Sequence, residues 1–281
     1  MVSVSKLTLA LALALAAIVP AHISPDSLSA NRQAMAQAKK LPLVVAHRGG
    51  KRWAPENSMA AFKKSVAAGA DGIELDIHRC KSGELVVIHD DTLNRTAGGS
   101  GQIKDHTLQE LAALDCGSWY DPAFKDERIP LLKDVLKEVN GKLTINIEIK
   151  NCPNNYPEID AELLKVLADY PYPDKIIISS FDHLVLKKIH DKTSRYKLAL
   201  LGDCAIYDLP AYARSTGATA WNPEFDCVRE DTVKIAHDAG ITVNTWTVNS
   251  KEGWQKAIDL GVDAIITDDP VGLQNYLKEQ K

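Results

Sequence analysis

From residue 42 onward the chain alternates between two kinds of segment. Short, apolar, β-branched runs occupy Leu43–Ala46, Gly72–Ile77, Leu85–His89, Thr144–Ile149, Ile176–Ser180, Leu198–Leu201, Thr219–Trp221, Ile241–Trp246 and Ala264–Thr267. Longer amphipathic stretches lie between them, near 58–68, 107–114, 131–139, 156–169, 183–192, 207–215, 229–239, 250–260 and 270–278. Strands apolar on both faces, each followed by a helical pattern, predict a parallel sheet covered by helices. An open doubly wound sheet usually carries a Gly-x-Gly-x-x-Gly turn after its first strand, and this chain does not. With Leu85–His89 set aside as part of an excursion, eight strand–helix units remain over about 240 residues, the usual size of a (β/α)8 TIM barrel. The expectation is therefore one α/β domain over 42–281, a TIM barrel with a small insertion after the second strand.

The first forty residues read differently. Lys6 precedes an apolar stretch from Leu7 to Val19. A membrane-spanning helix needs about 20 apolar residues, so the stretch is too short to remain in a bilayer. It reads as a secretory signal within residues 1–36, cut after Ala21 or after Ala36 of Ala34-Met35-Ala36. The alternative is an uncleaved anchor. No Cys closely follows the apolar stretch, which argues against a lipid anchor. The expected location is outside the cytoplasm, periplasmic or extracellular, with no stable membrane span after processing.

Export permits disulfides, and the chain has five cysteines, Cys80, Cys116, Cys152, Cys204 and Cys227. An odd count leaves at least one thiol unpaired. Cys204 and Cys227 fall in neighbouring loops of the expected barrel and form one pair to test. Cys80 and Cys116, bracketing the insertion, form the rival pair, with Cys152 the free thiol. The remaining reading is that all five are reduced.

Composition narrows function. With 45% hydrophobic and 25% charged residues the chain can bury a core, which excludes disordered and polytopic membrane classes. Its 33 Lys and Arg against 37 Asp and Glu give a net charge of −4, the wrong sign for a general nucleic-acid binder. An anionic small molecule must then be held by a local cationic cluster or by a metal.

Polar residues gather at the strand ends. His47 and Arg48 follow the first run, Glu74 and Asp76 lie in the second, and Glu148 and Lys150 close the run at Thr144–Ile149. Asn222, Trp246 and Asp268 mark later ones. A barrel brings these ends to one face, where sites of this fold are built. Glu74 and Asp76 are two apart, so they share a strand face, as do Glu148 and Lys150. Three carboxylates converging without cysteine suit a hard cation, Ca²⁺ or Mg²⁺, rather than zinc. The competing reading is a structural ion-pair network with Arg48 and Lys150. His47 and His89 titrate near neutrality and could act as acid and base across one cleft. Arg48 offers a planar fork and Lys150 a point charge for phosphate oxygens. The set suggests phosphoryl chemistry.

These residues stand in blocks that resemble the glycerophosphodiester phosphodiesterase family. The blocks are His47-Arg48-Gly49-Gly50, Pro55-Glu56-Asn57-Ser58, Gly69 to Asp76, Val87-Ile88-His89-Asp90 and Leu93-Asn94-Arg95-Thr96. Gly117, Ile129-Pro130-Leu131-Leu132, Ile147-Glu148-Ile149-Lys150, Ser179-Ser180-Phe181-Asp182, Trp246-Thr247-Val248-Asn249 and Ile266-Thr267-Asp268 continue the series, in order, from residue 43 to about 275. The resemblance implies a TIM barrel with an insertion at about 78–107 and a metal on Glu74, Asp76 and Glu148. It implies catalytic His47 and His89, phosphate-binding Arg48 and Lys150, and supporting Glu56 and Asn57. Phe181, Trp246 and Asn249 would line the substrate mouth.

It further implies hydrolysis of glycerophosphodiesters to sn-glycerol 3-phosphate and an alcohol. The glycerol 2-hydroxyl would attack phosphorus, and water would open the resulting cyclic phosphate. The chain departs from the family at His78-Arg79-Cys80, at Ala97, and in the glycine-rich Gly98-Gly99-Ser100-Gly101. These positions bear on the leaving group. Two alternatives stay open: a lysophospholipase D-like or other phosphodiesterase, which wants an apolar groove at the mouth, and an exported phosphodiester-binding protein that does not cleave. The oligomeric state has no signature in the sequence.

Overall fold

The structure is a computed structural model that describes residues 40–153 and 156–280. The signal region expected over residues 1–36, with both cut sites, lies outside the described residues. Within them, β1 (Leu43–Ala46), β2 (Gly72–Arg79), β4 (Thr144–Ile149), β5 (Ile176–Ser180), β6 (Lys197–Gly202), β7 (Ala220–Pro223), β8 (Thr242–Thr245) and β9 (Ala264–Thr267) are parallel neighbours in that order. β1 pairs with β9 on one side and with β2 on the other, so the sheet closes into an eight-stranded barrel. The expected architecture is present. Among the described residues, no helix is long and apolar enough to cross a membrane.

The strands alternate more sharply than their composition suggests. Ile73, Leu75 and Ile77 of β2 stand in register with Ile145, Ile147 and Ile149 of β4, and all six are buried. The intervening pairs are Glu74 with Asn146 and Asp76 with Glu148. One face of these two strands packs beneath helices while the other carries polar groups into the barrel. Truncating Ile147, fully buried in that layer, to Ala would cost about 2–5 kcal/mol.

Helix boundaries follow local chemistry. The helix α1 (Met59–Ala68) starts where Ser58 accepts a hydrogen bond from the Ala61 amide and stops at Gly69, whose φ is 64°. The amphipathic α3 (Leu132–Val139) buries Leu132, Val135, Leu136 and Val139, a single stripe at helical spacing. The final helix, α9 (Pro270–Glu279), opens with Pro270 behind an Asp269 cap.

The insertion is larger than the expected 78–107. After β2 the chain turns back as β3 (Leu85–Val87), antiparallel to β2, and rejoins the barrel only at Leu131 before α3. The short helix α2 (Leu108–Ala112) belongs to this excursion. The reason is a separate core of Cys80, Val86, Ile88, Leu93, Ala97, Ile103, Leu111, Cys116 and Ile129, which ties residues 80–131 into one unit. β3 is also shorter than the run at Leu85–His89, although the Ile88 amide still bonds the Asp76 carbonyl just past its end.

Neither expected disulfide is present: Cys80, Cys116, Cys152, Cys204 and Cys227 are all free thiols. The Cys80 thiol donates to Glu84 Oε2 at 3.2 Å, although Cys116 shares its small core. The Cys227 thiol donates to the Asp203 carbonyl, one residue short of Cys204.

Candidate active site

One cavity opens at the C-terminal end of the barrel. His47, Arg48, Glu74, His89, Asn146, Glu148, Lys150, Phe181 and Trp246 line it, with Leu201, Thr247 and Ile266. Residues from seven barrel strands or the turns that follow them, and one from the insertion, thus meet in a single space. Asp76 lies 1% exposed just beneath.

The turn after β1 is held in a left-handed conformation. Arg48 has φ 50° and Gly50 φ 92°. A Cβ on Gly50 would sit 2.6 Å from the Trp53 ring, so the tight return requires glycine there. The Arg48 amide donates to Glu74 Oε2 at 2.9 Å, which fixes the turn over the carboxylates.

Glu74, Asp76 and Glu148 each offer an oxygen, all within 4.8 Å of one another. Against these three carboxylates stand two cations. Arg48 Nε lies 3.5 Å from Asp76, and Lys150 Nζ lies 2.8 Å from Glu148 and 3.7 Å from Asp76. The charges do not balance, and the carboxylates respond unequally. Burial raises Glu74 well above the usual carboxylate range, with the charges of Asp76 and Glu148 adding to it. Burial, then Asp76, pushes Glu148 up to about 7 despite Lys150. Burial also works against ionised Asp76, yet the charges of Arg48 and Lys150 prevail and hold it below its ordinary value. The cluster is an anionic pocket short of positive charge, with Asp76 Oδ1 buried and accepting no hydrogen bond. Its donors are all hard oxygens, a set that fits a divalent cation such as Ca²⁺ or Mg²⁺.

The two histidines are held by the same device. His47 Nδ1 lies 2.6 Å from Asp268 Oδ1, and its Nε2 faces Glu74 Oε2 at 3.9 Å. His89 Nδ1 lies 2.8 Å from Asp90 Oδ1. Its Nε2 lies 3.2 Å from Lys150 Nζ, and an ammonium can only donate, so that nitrogen accepts. Each ring therefore gives its Nδ1 proton to a carboxylate and turns Nε2 inward. Burial lowers both below the usual histidine value, outweighing the Asp268 hydrogen bond at His47 and the charge of Asp76 at His89.

Supporting residues lie behind. Glu56 Oε1 accepts from Arg48 Nη1 at 2.7 Å and from Arg95 Nη2 at 2.8 Å. Arg95 also reaches Asp90 through Nε and Nη2, both at 2.8 Å, and so ties the insertion to the β1 turn. Asn57 Nδ2 donates to Asp76 Oδ2 at 2.8 Å. Phe181 and Trp246 meet edge to face with centroids 5.8 Å apart, and the Trp246 indole N–H is anchored on the Asn222 carbonyl.

Of the twelve residues expected at the site, eight line the cavity; Asp76, Glu56 and Asn57 hydrogen-bond within the cluster without lining it, and the last is Asn249. It is absent from the cavity wall and braces Asp268, donating to Oδ2 at 2.9 Å and accepting from the Asp268 amide. Sequence reasoning gave no role to Asp268, Asp90 or Arg95. Asp90 had a signal, standing directly after His89; Asp268 was visible only as a polar strand end.

The profile of the glycerophosphoryl diester phosphodiesterase family matches residues 47–271. The chain belongs to that family. A glycerophosphodiester phosphodiesterase of Caldanaerobacter subterraneus subsp. tengcongensis is 40% identical over 238 residues, covering 84% of this chain and 98% of the relative. One from Bacillus altitudinis is 36% identical over 242 residues, covering 85% and 99%. Among solved structures, a phosphodiesterase of Oleispira antarctica, in complex with the product sn-glycerol-3-phosphate, superposes with TM-score 0.80 at 26% identity, covering 85% of this chain and 97% of its own. As a member of this family the chain is a phosphodiesterase, and the non-catalytic binding reading falls away.

Proposed function

We propose that this enzyme hydrolyses glycerophosphodiesters to sn-glycerol 3-phosphate and an alcohol, using His47 and His89 as proton carriers and a divalent cation on Glu74, Asp76 and Glu148. The observation that carries the reading is the pair of inward Nε2 atoms on the wall that also bears the oxygen triad and the two cations. A cation bound there would supply Lewis-acid polarisation of phosphoryl oxygens.

The chain's own groups account for the rest. Arg48 and Lys150 offset negative charge that spreads over the phosphoryl oxygens in the transition state. His89, whose Nδ1 proton is held by Asp90 so that Nε2 is the basic nitrogen, exchanges the Lys150 N–H that Nε2 accepts for the attacking 2-hydroxyl and takes its proton. His47, once doubly protonated, gives its Nε2 proton to the departing alcohol while its Nδ1 proton stays hydrogen-bonded to Asp268. The roles exchange when water opens the cyclic phosphate. Phe181 and Trp246 wall the mouth and limit water there. Burial of the insertion's apolar residues favours small substrates over lysolipids: Ile103 is fully buried in the insertion's own core and Leu108 packs on it.

The apolar stretch after Lys6 supports export as part of this reading. The test is turnover of glycerophosphocholine and lysophosphatidylcholine, each with chelator, with added Ca²⁺ and with added Mg²⁺. Cation-restored release of sn-glycerol 3-phosphate is expected; full turnover by rigorously cation-free protein would overturn the cation's part.

A further inference from the structure

Buried polar oxygens ordinarily find a partner. Four asparagines are buried in the described residues: Asn57, Asn146, Asn222 and Asn244. Asn57 Nδ2 donates to Asp76, and Asn244 Nδ2 donates to Asn222 Oδ1 at 2.9 Å. Among the four, only Asn146 keeps a buried side-chain oxygen with no hydrogen-bond partner. Asn146 is 5% exposed, lines the cavity, stands in register with Glu74 and lies two residues before Glu148 on the same face. Its unpartnered carbonyl therefore shares the strand face that carries the carboxylates, where Asp76 Oδ1 and the Oγ of Ser179, in register with Glu148, are also buried without a hydrogen-bond partner.

We propose that Asn146 Oδ1 is a fourth protein oxygen for the cation. The inference rests on the reading that Glu74, Asp76 and Glu148 hold one. Hard cations take six to eight oxygens in the case of Ca²⁺, and side-chain amide carbonyls are regular donors. A neutral oxygen also suits this position, because the triad already carries more negative charge than Arg48 and Lys150 offset. A fourth carboxylate would deepen that imbalance in the cation-free protein, whereas an amide adds a donor without adding charge.

The experiment is calorimetric titration of Ca²⁺, and separately Mg²⁺, into cation-free full-length protein, with thermal melting of each cation-free variant as the fold control. Asn146→Leu keeps the volume and removes the oxygen. Loss of a group one layer further out typically weakens metal affinity by about 10–100-fold, so a weakening of at least tenfold is expected here. Asn146→Ala serves if the leucine variant melts early, with the same expectation, and Asn146→Asp retains an oxygen and should still bind. If wild type binds the cation and both oxygen-free variants bind it equally well, the inference is overturned. An unchanged Kd with a raised KM for glycerophosphocholine would overturn it too, and assign Asn146 to the substrate. If wild type binds no cation, the reading of the triad falls first and this inference with it.

Discussion

Asp268 Oδ1 lies 2.6 Å from His47 Nδ1, joining the ends of the first and last barrel strands across 221 residues. The contact sets the ring's tautomer and turns Nε2 toward the carboxylates. Asp268 itself is not on the cavity wall. Asp268→Asn keeps the shape but offers an amide that can present N–H to Nδ1 and reverse the tautomer. We expect kcat on glycerophosphocholine to fall by about 10²-fold or more, as for other His–Asp pairs, with KM little changed. A near-normal kcat would mean His47 keeps its orientation without this partner.

Replacing His47 or His89 by Ala should each lower kcat by about 10²–10⁴-fold, with cation affinity largely kept. The double variant should fall far short of the product of the two losses, because the residues serve one proton-transfer cycle. Steady-state kinetics on the three variants, with calorimetry for the cation, checks both statements. Multiplying effects would point to two independent roles instead.

The cation-free protein should respond to pH in a defined direction. Glu148 has its folded value raised from 4.5 to about 7, and Glu74 is raised as well. A group raised on folding stabilises fully below its unfolded value, and that contribution disappears as pH climbs through the folded one. A cation replaces those protons, so its affinity should grow over the same window. The Tm gap between cation-loaded and cation-free protein should therefore widen from about pH 5.5 to about pH 8. His47 and His89, both lowered, act in the opposite sense but enter both melting curves. A gap that narrows with rising pH would contradict the charge assignment.

Thiol reactivity should sort by burial. Cys152 and Cys204 are exposed, whereas Cys80 and Cys116 are buried. Burial pushes the Cys116 thiol up to about 12, so it stays protonated in mild alkali. Brief iodoacetamide treatment of native protein, read by peptide mass spectrometry, should label Cys152 and Cys204 first. Cys80 and Cys116 should be labelled only after unfolding. A protected Cys204–Cys227 pair that needs reductant would instead reveal a bond between neighbouring loops.

Much of this molecule is legible along the chain. The β-branched runs recur because each barrel strand must be apolar on the side that meets helices, and that demand repeats eight times. Glu74-x-Asp76 and Glu148-x-Lys150 were readable for a related reason: alternation alone puts residues two apart on one face. The insertion's extent was not readable. Whether 108–131 packs on the barrel or on its own small core depends on partners such as Cys80 and Ile129, which are distant in sequence.

Local patterning thus determined the fold class, the strand face that carries the chemistry, and the residues of the oxygen triad. Only the closed barrel decided that Asp268 serves His47, that Asn249 braces Asp268 and does not line the mouth, and that Asn146 is left with an oxygen to share. The physical reason is closure. Pairing β1 with β9 brings His47 against Asp268, and no periodicity within a single segment encodes a contact between the two ends of the sheet.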